Sequence, residues 1–170
     1  MKKKRNWMQK QSKWLYSKIV REKATPEYIA RGWAIGMFYG CLIPFGLQLA
    51  CSIPTAFLLK GSKIGASVGT LITNPVSIFF IYPVQCWFGG KLIGRELSYE
   101  RVDASMRHVL SHEGPWYETY RVLAAEGLDI ILAFFAGGAL LTLIMTPITY
   151  FFVLSITKRY RAMKEKKSMA

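Results

Sequence analysis

Residues 32–90 read GWAIGMFYGCLIPFGLQLACSIPTAFLLKGSKIGASVGTLITNPVSIFFIYPVQCWFGG, and Lys60 and Lys63 are the only charged side chains among them. The two lysines divide this block into two uncharged arms. The first arm, residues 32–59, contains 28 residues, which as a helix rising about 1.5 Å per residue would extend roughly 42 Å. Crossing the hydrocarbon core of a bilayer takes about 30 Å. The block therefore predicts helical membrane segments.

Prolines and glycines interrupt both arms. A proline inside a helix removes one backbone hydrogen bond and clashes with the preceding turn. We therefore predict that neither arm is one straight helix, and that each arm is able to be re-entrant, returning to the side from which it started. The predicted helix breaks are Pro44, Gly46 and Pro54 in the first arm, and Pro75 and Pro83 in the second.

The charges of the 170-residue chain are segregated toward its ends. Ten Lys or Arg residues precede Gly32 and six follow Thr157, which accounts for most of the net charge of +13. Basic proteins often bind nucleic acid, but basic segments beside uncharged runs of membrane-spanning length are typical of the positive-inside rule. We therefore expect cytoplasmic termini and no nucleic-acid partner.

Composition divides the chain into five segments. Residues 1–24 are basic, with Trp and aliphatic residues at helical spacing; they favour an amphipathic helix on the membrane surface, with a disordered basic tail as the alternative. Residues 25–95 are the membrane core, and residues 96–129 form a polar helical segment with seven acids against three arginines. Residues 130–157 are uncharged and predict a transmembrane helix or hairpin. Residues 158–170 are a basic tail.

The charge pattern favours one topology. If the first arm enters the bilayer and returns, the turn at Lys60 and Lys63 stays on the side of the basic termini. The second arm then crosses the bilayer, and residues 130–157 cross back. We therefore predict an all-α, multi-pass integral membrane protein with two proline-broken arms, an N-terminal amphipathic helix and a C-terminal membrane segment.

Polar side chains inside the arms are the candidate binding residues. Unsatisfied polar groups at membrane depth cost several kcal/mol each, so either the two breaks contact each other or these groups line a path for a substrate. The substrate-binding candidates are Gln48, Thr73, Asn74 and Gln85. Cations at the edges of the arms suit anionic lipid head groups; these candidates are Arg31, Lys60, Lys63 and Lys91.

Signatures of catalysis and of metal binding are missing from the sequence. His108 and His112 lie one helical turn apart, but Glu113 follows the second histidine rather than the first, unlike the His-Glu-x-x-His zinc motif. The three cysteines lack the paired spacing of a metal site. No acid lies within either arm, which disfavours a pump with an intramembrane carboxylate. We expect no enzyme activity, no metal and no cofactor.

Several short motifs of the core resemble one bacterial family. They are TP at 25–26, IARG at 29–32, GMFYG at 36–40, PFGLQ at 44–48 and GTLITNPV at 69–76. The chain resembles the bacterial domain of unknown function 2062, strongly over residues 24–95 and, in general architecture, through the C-terminal apolar run. The resemblance implies a small integral protein of the bacterial cytoplasmic (inner) membrane, sometimes fused to glycosyltransferase-like partners. It implies no established activity and no catalytic residue.

Two functions fit these expectations. The first is binding or translocation of an amphipathic anionic substrate, such as a lipid or a lipid-linked phosphate. The alternative is a non-transporting membrane scaffold or assembly factor for envelope enzymes. The expected partners are membrane lipids, including an anionic lipid or lipid-linked substrate, and a homo-oligomer is a further possibility. Gly32, Gly36 and Gly40 lie at four-residue spacing, which allows another helix to approach closely.

The topology generates a first prediction. In a background lacking Cys41, Cys51 and Cys86, the variant Gly114→Cys should react with a membrane-impermeant thiol reagent in intact cells, because the acidic segment is expected outside the cytoplasm. The measurement is labelling before and after permeabilisation. Labelling only after permeabilisation would contradict this topology.

Overall fold

A computed structural model describes residues 24–44, 46–74, 76–95, 97–110, 121 and 127–169. The predicted N-terminal amphipathic helix lies outside the described residues except for Ala24. Pro75, Gly114 and much of the predicted polar segment 96–129 also lie outside them.

The described residues form α-helices and no strand, which confirms the all-α prediction for this part of the chain. A 3₁₀ turn, Thr70–Ile72, follows the third helix. In chain order the helices are α1 (Pro26–Leu42), α2 (Gln48–Leu58), α3 (Lys63–Gly69), α4 (Ile78–Leu92), α5 (Tyr99–Leu110) and α6 (Leu128–Met169).

Local signals determine both ends of α1. The Thr25 side chain accepts a hydrogen bond from the backbone N–H of Tyr28 at 3.3 Å, and Pro26 occupies the start of the helix, where its missing N–H has no consequence. The helix ends at Leu42, and Gly46 has a φ of 110°, a conformation open mainly to glycine. The first arm is therefore broken at Pro44 and Gly46.

The second arm is broken between Ile72, where the 3₁₀ turn ends, and Ile78, where α4 begins. Pro54 and Pro83 are different, because α2 and α4 continue through them. The structure thus corrects the prediction that these two prolines end helices. Beside Pro54, the hydroxyl of Thr55 donates to the carbonyl of Cys51 at 2.8 Å.

The first arm folds back on itself as a helical hairpin. Arg31 at the start of α1 donates to the carbonyl of Leu59, just beyond α2, at 2.9 Å. The backbone N–H of Ser62 donates to the carbonyl of Tyr28 at 3.0 Å. Because the beginning and the end of the arm meet, α2 runs antiparallel to α1.

Small residues hold α3 alongside α1 in parallel. Gly32 lies against Ser62, and Gly36 lies against Ala66. A methyl group added at Gly36 would stand 2.2 Å from the Ala66 carbonyl oxygen, far inside van der Waals contact. The close helix approach predicted from this glycine spacing thus occurs between α1 and α3 of the same chain.

A second close crossing joins α4 to α6. A methyl group at Gly89 would stand 1.8 Å from the Ala133 carbonyl oxygen, and one at Gly137 would stand 1.9 Å from the Gln85 carbonyl oxygen. These two contacts make α4 antiparallel to α6.

Helix α6 is in turn antiparallel to α1. The Thr142 hydroxyl donates to the Phe38 carbonyl at 3.4 Å, and Lys158 pairs with Glu27 at 2.9 Å. Since α4 also runs antiparallel to α6, α4 runs in the same direction as α1 and α3. The second arm therefore continues onward and does not fold back as the first arm does.

Helix α6 runs without interruption through Pro147 and the basic tail to Met169. The predicted C-terminal membrane segment is therefore a single helix and not a hairpin. Within the described residues, α6 is the helix long and apolar enough to cross a membrane, over Leu128–Lys166. Only 33% of its most apolar stretch is buried, whereas the core helix of a soluble protein would be mostly buried.

Large apolar side chains are exposed on several helices. They include Phe57 and Leu58 on α2, Phe80 and Phe88 on α4, and Leu143, Phe151 and Phe152 on α6. Exposed apolar surface on this scale marks contact with a membrane or a partner.

The glycine packing generates a second prediction. Gly36→Ala should destabilise the protein by about 1–3 kcal/mol, because its methyl group meets the α3 backbone at 2.2 Å. Gly40→Ala is the matched control on the same helix face, since its methyl group would stand 3.3 Å from the nearest atom. Thermal unfolding in detergent measures both variants. Equal melting temperatures would contradict the packing of α1 on α3.

Candidate functional site

The two helix breaks meet at Thr73. Its hydroxyl oxygen lies 2.9 Å from the Gly40 carbonyl oxygen and 2.9 Å from Oε1 of Gln48. Gln48 Nε2 also donates to the Thr73 carbonyl at 3.4 Å. Gln48 is 2% exposed and Thr73 is 0% exposed. Contact between the breaks therefore satisfies both of these candidate binding residues.

Asn74 organises the second break itself. Its Oδ1 accepts hydrogen bonds from the backbone N–H groups of Val76 at 2.9 Å and Ser77 at 3.0 Å. Nδ2 donates to the Leu71 carbonyl at 3.4 Å. The side chain thus acts as a cap for the turn that leads into α4.

Gln85 connects three helices. It is 4% exposed, and its Nε2 donates to the carbonyl of Cys41 on α1 at 3.2 Å and to that of Phe134 on α6 at 3.0 Å. Its Oε1 is buried without a hydrogen-bond partner among the described residues. Gly138 makes room for this side chain, because a methyl group there would stand 2.7 Å from Nε2.

A lateral groove of about 550 Å³ lies beside these polar contacts. Its walls are the end of α1, the second break, α4 and the middle of α6, and nearly all of its lining is apolar. Thr73 and Gln85 belong to the lining, whereas Gln48 and Asn74 do not. The apolar residues that carry most of the wall include Met37, Ile81, Val84, Phe88, Leu140 and Leu141.

The groove is open toward the surroundings of the protein. Phe80, Val84 and Phe88 of α4 line it and are also exposed, as is Ile144 of α6. Its volume lies within the range of pockets that hold a small-molecule ligand. An apolar ligand is therefore able to reach it from the side.

Sequence reasoning did not identify the groove. The adjacent glycines Gly137 and Gly138 were the available signal, because paired small residues mark close helix approach. The sequence does not indicate which helix packs against these glycines, because α4 and α6 are separated by the whole polar segment.

The candidate head-group cations lie at two different ends. Arg31, Lys60 and Lys63 lie together with Lys158 at one end, which we call the basic end. Much of this charge is engaged: Arg31 donates to Leu59, the Lys63 ammonium stands 4.7 Å over the Phe57 ring, and Arg161 donates to the carbonyl of Ala24.

Lys91 lies at the opposite end, where α4 ends and α6 begins. Its ammonium stands 3.8 Å over the ring of Trp87, a cation–π distance. Nearby, Arg95 pairs with Asp129 at 3.3 Å. On α5, the hydrogen bond to Asp103 raises the pKa of Arg107.

The hydrogen bonds of Asn74 generate a third prediction. Asn74→Ala should lower stability by about 1 kcal/mol, the usual effect of losing a helix cap. Asn74→Ser should restore most of it, because a serine hydroxyl accepts the same backbone N–H groups. Thermal unfolding in detergent is the measurement. Unchanged stability of Asn74→Ala together with lost ligand binding would instead assign the side chain to a ligand.

A protein-family model matches most of the chain. The family model described as "Uncharacterized protein conserved in bacteria (DUF2062)" matches residues 9–166. Searches of the curated proteins and of the solved structures found no match. The family match extends well beyond the motifs of residues 24–95 and includes most of α6. The chain therefore belongs to the DUF2062 family.

Proposed function

We propose that this protein resides in the bacterial cytoplasmic membrane and binds an amphipathic anionic lipid through its lateral groove. The observation that carries the proposal is the groove itself, an apolar space of about 550 Å³ that opens sideways between α1, α4 and α6. At membrane depth such an opening faces lipid chains. A lipid chain is the apolar ligand present there at high concentration.

The separation of the charged ends supports a transmembrane placement. Asp129 and Lys158 are 29 positions apart on one helix, which corresponds to about 44 Å at a rise of about 1.5 Å per residue. A bilayer with its head-group regions is about 40–45 Å thick. The ends marked by Lys158 and by the Arg95–Asp129 pair thus match the two head-group layers.

In this placement the first arm is re-entrant, and the second arm and α6 cross. The hairpin of α1 and α2 returns to the basic end, where Arg31 meets Leu59. The basic end also holds Lys158 and the tail that follows it. By the positive-inside rule this end is cytoplasmic.

Binding fits the groove better than catalysis does. The described residues that line it include no carboxylate and no histidine, the side chains most used for proton transfer. Among the described residues, no group of three or more His, Cys, Asp or Glu side chains is placed to hold a metal ion. We therefore propose no enzyme activity.

A membrane scaffold is the second candidate. The observation in its favour is that Gln48, Thr73 and the Nε2 of Gln85 form hydrogen bonds within the protein. Polar side chains that form hydrogen bonds within the protein hold its helices together. Few of their donors and acceptors then remain to bind a polar substrate. The two candidates differ in whether the groove contains a ligand.

Filling the groove generates a fourth prediction. Leu141→Trp places an indole in the groove and should lower the fraction of protein that retains a bound lipid several-fold. Leu143→Trp is the matched control, because Leu143 is 74% exposed, lies on the same helix and does not line the groove. Native mass spectrometry after purification in mild detergent measures the retained lipid. Equal retention in the two variants would reject lipid binding in the groove and favour the scaffold.

A further inference from the structure

We propose that Lys91 is the head-group contact of the groove, so that the bound lipid carries a phosphate at the end opposite the basic end. This inference rests on the proposed function, since it needs a lipid chain in the groove. It assigns to Lys91 a role that it does not assign to Arg31, Lys60 and Lys63, the other candidate head-group contacts.

Lys91 lies on the same face of α4 as two residues that line the groove. Val84 and Phe88 line the groove, and Lys91 follows them at seven and three positions. Residues at these spacings share one face of a helix. One turn of α-helix rises about 5.4 Å, so Lys91 stands one turn beyond the last groove residue of α4. Lys91 therefore follows the groove along the face of α4 that lines it.

The surroundings of Lys91 are typical of a head-group layer. The residue is exposed, and its ammonium contacts the ring of Trp87 at 3.8 Å. Within the described part of the chain no carboxylate forms an ion pair with Lys91, whereas the neighbouring Arg95 is paired with Asp129. Tryptophan and lysine are typical of the head-group layer. A lipid phosphate in this layer would supply an anion for Lys91.

The basic end is the competing location, and it lies farther from the groove. On α6 the groove ends at Met145, and the 13 positions from there to Lys158 correspond to about 20 Å. Between them, Val153 packs against Ile29 and Trp33 and closes the space between α1 and α6. A head group bound at the basic end is thus separated from the groove by packed side chains.

The test compares lipid preference in two lysine variants. Full-length protein is equilibrated in mixed vesicles of phosphatidylglycerol and phosphatidylcholine, extracted in mild detergent and examined by native mass spectrometry. For Lys91→Gln we expect the preference for phosphatidylglycerol to fall about fivefold, the fold-change that corresponds to about 1 kcal/mol per cation near the surface. Lys63→Gln is the matched control, because Lys63 also stacks on an aromatic ring but lies at the basic end. Its preference should stay at the wild-type value.

The outcomes separate the two proposals. An unchanged preference in Lys91→Gln, or an equal loss in Lys63→Gln, would overturn the role of Lys91 while leaving a lipid in the groove. Lipid retention that is insensitive to Leu141→Trp, or a second protein retained in place of lipid, would overturn the proposed function as well. If Lys91→Gln is too unstable to purify, Lys91→Arg and Lys91→Met decide the question. Arginine should keep the preference and methionine should lose it, and equal preferences would overturn the inference.

Discussion

Backbone contact between helices at small residues is the constraint on which this structure depends. At Gly36 the α1 backbone lies against the Ala66 carbonyl of α3, and at Gly89 and Gly137 the backbones of α4 and α6 meet. Between helices in lipid the hydrophobic effect gives little attraction, so close packing must provide it. Any side chain larger than hydrogen at these points would push the helices apart.

The two glycine contacts also determine where the polar groups of the chain meet. Packing α3 beside α1 brings Thr73 to the Gly40 carbonyl and to Gln48. Packing α4 on α6 brings Gln85 to Phe134, and the packing of α1 on α6 brings Cys41 to the same side chain. Each of these contacts satisfies groups that would be costly if left alone in a membrane. The groove is the space left between the two packed pairs, which explains why its lining is almost entirely apolar.

An apolar groove recognises the length and shape of a chain but not its charge. If the groove binds a lipid, discrimination among head groups has to come from side chains at its mouth. Cations are abundant at the basic end, yet Arg31 and Lys158 are already engaged with groups of the protein. The arrangement of cations relative to the groove therefore bears on selectivity more than their number does.

The sequence by itself determined the helical class, the capped start of α1 at Thr25 and Pro26, and the break at Pro44 and Gly46, because these depend on chemistry within a few residues. Tertiary structure decided the rest. It kept Pro54 and Pro83 inside helices, separated Lys91 from Lys60 and Lys63, and formed the groove. The contacts responsible join residues 25 positions apart for Gln48 with Thr73 and 49 positions apart for Gln85 with Phe134. Local propensity does not extend over such separations, so only the packing of whole helices selects these partners.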